Sequence, residues 1–211
     1  MEANIRLDNL KTIIDIGAGV GEFSNEMLKF NPDCKVYCFE PIPETYELLK
    51  AWASGRDNVK TFNVALGKDE GTREINWCIN DKFGSSMLET IDPAFGGEKK
   101  KLEIFQTTLD SIMADKVIEK DILVKIDVEG IEDRVIEGGK SLISNAKVCM
   151  IEVHLLPKRK NQATFKDIYM LMDSLGFEYC GNATQSMADN YTMSHIDALF
   201  KKYVKKDIKK D

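Results

Sequence analysis

The chain has 211 residues, enough for one α/β core and too few for two ordinary domains plus a linker. Its formal net charge of −6 makes nucleic acid an unlikely general partner, and no apolar run reaches the roughly 18 residues of a membrane-spanning helix. The opening MEANIRLDNLK lacks a signal-peptide apolar core, and Cys34, Cys38, Cys78, Cys149 and Cys180 show no C-x-x-C spacing, so a cytoplasmic protein with reduced thiols is expected.

The first predicted strand, Thr12-Ile-Ile-Asp-Ile, carries Asp15 near its tip and enters a glycine turn at Gly17, Gly19 and Gly21, after which Glu22 to Phe30 reads as a helix. A strand passing through such a turn directly into a helix opens a nucleotide-type α/β site, because glycine lets backbone approach a ligand that a Cβ would exclude. Dinucleotides and S-adenosyl-L-methionine both fit. The dinucleotide fingerprint G-x-G-x-x-G needs Gly or Ala at position 22, where this chain has Glu22. A carboxylate in the first helical turn repels the pyrophosphate that the helix N-terminus would have to hold. S-adenosyl-L-methionine has no phosphate and carries a sulfonium and an ammonium, which suit an acidic Asp15.

The second predicted strand, Lys35-Val-Tyr-Cys-Phe, brings Glu40 to its end, 19 residues past Gly21, the length of one helix and one strand. A carboxylate there can accept both ribose hydroxyls, which either cofactor class requires. Pro41 and Pro43 then stop the strand and start a helix from Glu44 to Ala53. Residues 58–66 read as a third strand ending at Gly67, and residues 72–79 and 102–108 as two β segments. Between those segments, residues 81–99 form a long polar stretch broken by Pro93, Gly96 and Gly97, of a length that in a compact domain marks a functional or mobile loop.

The fourth core strand, Asp121 to Asp127, is followed by a helix from Ile131 to Glu137 that Gly138 and Gly139 should stop. Lys147 to His154 is the fifth strand, Phe165 to Leu175 an amphipathic helix, Phe177 to Cys180 the sixth strand and Ile196 to Phe200 the seventh. The basic run from Lys201 to Asp211 reads as a solvated tail. Alternating β and α elements without repeat or linker predict a mostly parallel sheet with helices on both faces. In open sheets of this kind chemistry sits outside the carboxyl ends of the strands, so Asp15, Glu40, Asn63, Asp127 and His154 should converge on one crevice. Glu132 and Asp133, in the first turn of a helix, fit helix-dipole complementarity, whereas Glu129 stands as close to function as to that role.

The run K-I-D-V-E-G-I-E at 125–132, with V-I-E-G-G after it, resembles the FkbM-family methyltransferases, a class I S-adenosyl-L-methionine-dependent group. The resemblance extends through D-I-G-A-G-V-G-E-F-S at 15–24, F-E-P-I-P-E-T at 39–45, N-V-A-L-G at 63–67, G-S-S-M-L at 84–88, T-L-D-S-I at 108–112 and I-E-V-H at 151–154. One departure is Ala18-Gly19-Val20, where many relatives place Asn between Ala and the aliphatic residue; bare backbone replaces a side-chain amide beside the cofactor. The resemblance implies one methyltransferase domain over residues 1–211, with a Rossmann-like, seven-stranded, mostly parallel sheet whose last strand is antiparallel. It also implies a β insertion after the third strand, with an insertion or lid at about 68–107.

For the site, the resemblance implies that Gly17, Ala18 and Gly19 pass under the methionine moiety, with Asp15 near its ammonium. Glu40, with Pro41 next to it, should take the ribose, Asn63 and Val64 the adenine, and Asp127 a place beside the methyl group. Relatives methylate hydroxyls, so O-methylation of a small molecule, sugar or glycan is expected. Methyl transfer to oxygen rests on positioning and gains from a base, for which Asp127, Glu129, Glu152 and His154 are the candidates. In the lid, Ser85 and Ser86 are expected to bond the cofactor or a hydroxylated acceptor, with Met87 and Leu88 offering an apolar contact. No finger-like or H-E-x-x-H spacing occurs, so no metal is expected. The alternatives are a nicotinamide-dependent oxidoreductase, disfavoured by Glu22 and Asp15, and a non-catalytic cofactor or nucleic-acid binder using the lysine tail.

Overall fold

The structure, a computed structural model, describes residues 9–79, 84–91, 97–188 and 191–203. Thr12–Ile16 (β1), Lys35–Phe39 (β2) and Val59–Phe62 (β3) alternate with helices Glu22–Phe30 (α1) and Pro43–Ala53 (α2). A small β unit follows, made of Ala65–Leu66 (β4), Gly71–Cys78 (β5) and Lys99–Thr107 (β6). Then come Leu109–Met113 (α3), Ile122–Ile126 (β7), Glu132–Gly138 (α4), Lys140–Ile143 (α5), Val148–His154 (β8), Phe165–Ser174 (α6), Phe177–Met187 (β9) and Met193–Lys202 (β10).

Seven strands form the main sheet in the order β3-β2-β1-β7-β8-β10-β9. Neighbours from β3 to β8 are parallel, and β10 runs antiparallel to both β8 and β9, as expected for the last strand. All five residues of β1 are buried because helices cover both faces of a central parallel strand. Successive residues serve opposite faces. Ile14, Ile16, Phe39, Val124 and Ile151 pack with Leu109, Val135, Ile136 and Met172 from α3, α4 and α6. Ile13, Val36, Cys38, Leu123 and Met150 pack with Met27 of α1 and Leu49 of α2. The order reverses about β1, with β2 on one side and β7 on the other, and that switch point opens the crevice at the carboxyl strand ends.

The expected insertion after the third strand is the separate sheet β4-β6-β5. The single strand expected over 58–66 is divided: it leaves the main sheet after Phe62, and β4 pairs instead with β6. Asn63 is the break, its side-chain amide donating to the carbonyls of Glu40 (2.9 Å) and Pro41 (3.1 Å). Both end strands are longer than their apolar stretches suggested, because β9 and β10 continue as a paired ribbon of polar residues to Met187 and Met193. Lys201 and Lys202 belong to β10 rather than to a tail; residues 204–211 lie outside the described residues, as do Pro93 and Gly96 of the long polar loop.

Gly138 and Gly139 end α4 as expected, Gly139 serving as its C-cap without a left-handed turn and opening α5 at once. Gly138 is there for packing: a Cβ on it would stand 1.9 Å from the carbonyl oxygen of Gly67, where α4 crosses the chain after β4. Alanine in a helix ordinarily gains about 1 kcal/mol over glycine, so the sign of the effect is diagnostic. Gly138→Ala should instead destabilise by about 1–3 kcal/mol, the usual cost of overpacking. A thermal melt would show this as a fall of roughly 2–4 °C per kcal/mol; an unchanged or raised midpoint would mean that the contact relaxes freely.

Candidate active site

The loop between β1 and α1 is held against two strand ends. Gly17 and Ala18 N–H groups both donate to Phe39 O of β2 (3.0 Å each), and Asp127 N–H donates to Ile16 O (3.0 Å). Gly17 has φ +78°, and a Cβ there would lie 1.8 Å from Asp127 O, so only glycine fits this turn. The loop floors a cavity of about 340 Å³, within the ordinary range for a cofactor site. Gly17, Ala18, Gly19, Glu40, Pro41, Val64, Ser85, Asp127 and Glu129 line it; of the five strand-end residues expected to converge, Glu40 and Asp127 reach the wall.

Glu40 is buried and occupied at both oxygens: Oε2 accepts from Gly19 N–H (3.0 Å) and Oε1 from Ile42 N–H (2.9 Å). Burial pushes its pKa up to about 7, while those two N–H groups pull in the other direction. Each oxygen keeps a second lone pair for a hydroxyl. Asp15 is not on the cavity wall. Its carboxylate is fully buried, accepts from Ser24 Oγ at 2.6 Å, and is pushed above the usual carboxylate range by burial, with Lys125 opposing. Asn63 likewise stays off the wall and braces the Glu40–Pro41 turn.

Lys125 is the lining residue that local patterning did not mark as functional. Its ammonium donates to Asp127 Oδ2 at 2.8 Å and stands 5.2 Å from the Phe23 ring centre. Burial disfavours its charge, but Asp127 and Asp15 outweigh this and raise its affinity for the proton. A lysine inside the otherwise apolar strand Ile122–Ile126 was the available signal. The loop after Asp127 is shaped by two acidic side chains. Glu129 takes φ +64°, a conformation that non-glycine residues adopt at a cost and that concentrates at functional sites. Glu132 does not serve the helix dipole alone: buried, it folds back so that Oε1 accepts from Gly130 N–H (2.9 Å) and Val128 N–H (3.3 Å).

Behind Glu129 lies a buried polar cluster. His154 Nε2 is 3.4 Å from Glu129 Oε2 and 3.6 Å from Glu152 Oε2, and the guanidinium of Arg159 meets Glu129 Oε2 at 2.6 Å. The ligand-type atoms of Glu129, Glu152 and His154 fall within 4.8 Å of one another, a grouping that spacing along the chain did not show; Arg159 is the cation that sits among them. His154 itself is not on the cavity wall. Burial pushes Glu152 well above the usual carboxylate range, with Asp127 and Glu129 adding to the shift. In the lid segment, Ser85 Oγ accepts from Cys78 N–H, and Ser86 is buried, donating to Glu129 O at 2.7 Å; Ser86 therefore supports the loop rather than facing the cavity.

A family model described as the methyltransferase FkbM domain matches residues 15–179. The chain belongs to the FkbM methyltransferase family. Methyltransferase sdnD of Sordaria araneosa is 29% identical over 153 residues, covering 60% of this chain and 59% of that protein. The 2-O-methyltransferase NoeI of Sinorhizobium fredii (strain NBRC 101917 / NGR234) is 24% identical over 152 residues, covering 66% and 62%. The chain thus spans about three-fifths of the length of these curated relatives. Among solved structures, the methyltransferase FkbM of Methylobacillus flagellatus KT superposes with a TM-score of 0.58 at 13% identity, over 95% of this chain and 45% of that one. Magnesium protoporphyrin IX methyltransferase of Synechocystis PCC 6803, solved with bound S-adenosylmethionine, gives 0.50 at 13%, over 94% and 72%. These likenesses establish the methyltransferase fold. No helix among the described residues is long and apolar enough to cross a membrane.

The FkbM-type loop carries its own pH signature. Burial pushes Glu132 up to about 7, against an ordinary 4.5. An unfolded chain ionises this carboxyl near 4.5 while the folded one resists until about 7, so its contribution favours folding at low pH and is lost as pH rises through that window. Glu132→Gln keeps an acceptor for Gly130 and Val128 without the ionisation. In urea melts it should match the native protein near pH 4.5 and exceed it at pH 8 by about 1–3 kcal/mol; equal pH profiles would place the ionisation elsewhere.

Proposed function

We propose that the protein transfers a methyl group from S-adenosyl-L-methionine to a hydroxyl oxygen of a small molecule, sugar or glycan. The observation that carries this reading is the charge and shape of the cavity. Four carboxylates, Glu22, Glu40, Asp127 and Glu129, line it with Lys125 as the one cation among its described residues. Such a wall suits a ligand with a sulfonium and an ammonium and repels a pyrophosphate. Gly19 leaves room, since a Cβ on it would meet nothing within 4 Å. The relative named as a 2-O-methyltransferase supports oxygen as the methylated atom.

Gly17, Ala18 and Gly19 are assigned to the methionine part, whose ammonium suits Asp127 and whose carboxylate suits Lys125. Asp15 acts through Ser24 and Lys125 rather than by contact. Glu40 and Pro41 are assigned to the ribose, and Val64, with Asn63 bracing the turn, to the adenine. Ser85, Met87 and Ile75 border the acceptor side. The cofactor supplies an electrophilic methyl on sulfur; the carbon–sulfur electron pair returns to sulfur as the oxygen–carbon bond forms. The hydroxyl proton must leave as this happens. Glu129 meets the acceptor at the wall and His154, 3.4 Å behind it, takes up the proton, the two acting as one unit.

Calorimetry should detect S-adenosyl-L-methionine or its demethylated product and not NAD; tight NAD binding alone would overturn the reading. Glu40→Ala should weaken cofactor binding by about 1.5–3 kcal/mol per charge-assisted bond lost. With a confirmed acceptor, His154→Ala should lower turnover by roughly 10²–10⁴ and leave cofactor affinity nearly intact; near-native turnover would make the histidine structural.

A further inference from the structure

The segment Lys158-Arg-Lys reads as a surface charge run, yet its middle residue is among the most buried side chains of the protein, at 1% exposure. Taking a guanidinium out of water costs several kcal/mol unless its partners repay it. Those partners are specific. One terminal nitrogen of Arg159 meets Glu129 Oε2 at 2.6 Å and lies 3.5 Å from Gly84 O, and the other stands 3.4 Å from His154 Nε2. The backbone around it is pinned as well. Gln162 Oε1 accepts from the N–H groups of Lys158 and Arg159, Arg159 bridges to Thr90, Lys160 N–H donates to Glu89 O, and Ile91 N–H donates to Lys158 O.

We propose that Arg159 is a positioning residue that fixes the Glu129 carboxylate beside His154 and ties residues 84–90 to the floor of the acceptor side. Its catalytic meaning rests on the proposed Glu129–His154 unit. The groups that face His154 are Glu129 from the β7–α4 loop, Glu152 two residues back on β8, Arg159 from the β8–α6 loop, and the His195 ring of β10, 5.5 Å away and edge-on. Burial pushes Glu152 well above the usual carboxylate range, which leaves Glu129 and Arg159 as the oppositely charged pair nearest the ring. The planar fork, always charged, suits the double task better than a lysine. With the guanidinium in place Glu129 Oε2 is held 2.6 Å from Arg159; without it, that carboxylate loses its cation and keeps only the imidazole beside it.

The chain has only two histidines, so imidazole NMR titration of the full protein resolves His154 from His195 directly. Arg159→Gln should move the His154 midpoint upward by about one pH unit, and Glu129→Gln should move it downward. Arg159→Lys, which keeps the charge, should stay nearer the native value. If Arg159→Gln does not fold, the downward shift of Glu129→Gln against the near-native midpoint of Arg159→Lys carries the test. Midpoints that coincide in the native protein and all folded variants would overturn the assignment. S-adenosylhomocysteine titration of Arg159→Lys should give native affinity, because Arg159 is absent from the cavity wall; a tenfold loss would place it in cofactor binding instead. A shifted midpoint combined with near-native turnover of His154→Ala would uphold the role of Arg159 and remove the base.

Discussion

The site depends on how closely the first glycine turn lies against the end of β7. Ladder pairing between β1 and β7 continues one step beyond the strands, through Asp127 N–H to Ile16 O, and at the next residue the two chains are so near that a methyl group could not stand between them. The same turn is fastened on its other side by two N–H groups sharing Phe39 O at the end of β2. Three strand tips are thereby locked in register, and the carboxylates that follow them, Glu40 and Asp127, inherit fixed positions. Positioning of this kind is most of what a displacement at an activated methyl requires from a protein.

Locking acidic residues into a shared low-dielectric crevice is unfavourable, and each is compensated differently. Glu40 accepts two backbone N–H groups, Lys125 stands between Asp15 and Asp127, and Glu132 folds onto the loop that precedes it. Glu129 has Arg159. These compensations differ in kind: a lysine or arginine stands under 3 Å from Asp127 and Glu129, whereas N–H groups alone leave burial to push Glu40 and Glu132 up to about 7. Stability and site charge are therefore coupled, with the crevice most acidic where the fold is least comfortable.

The small β4-β6-β5 sheet closes one side of this crevice. Ile75 of β5 and Met87 of the segment after it border the cavity, and Ser86 pairs with Asn76 of β5 while donating to Glu129 O. What reads along the chain as a free lid is, over residues 84–91, a strap fastened at both ends, to β5 and to the loop carrying Arg159.

By itself the sequence determined the strand order's starting point, the glycine turn, and the acidic residues at the ends of β2 and β7, because these follow from local chemistry. Apolar β-branched runs make buried strands, and glycine permits a left-handed turn beside another backbone. Glu22 alone was enough to disfavour a pyrophosphate. Only the tertiary structure decided that Asn63 breaks the third strand, that Asp15 and Ser86 stay behind the cavity wall, and that Gly138, besides ending its helix, serves a crossing with Gly67. Nor could Lys158-Arg-Lys announce which of its three cations would be buried. A charge run looks solvated until the fold brings a carboxylate from 30 positions earlier within 2.6 Å, and that distance is set by packing between elements, which no local pattern contains.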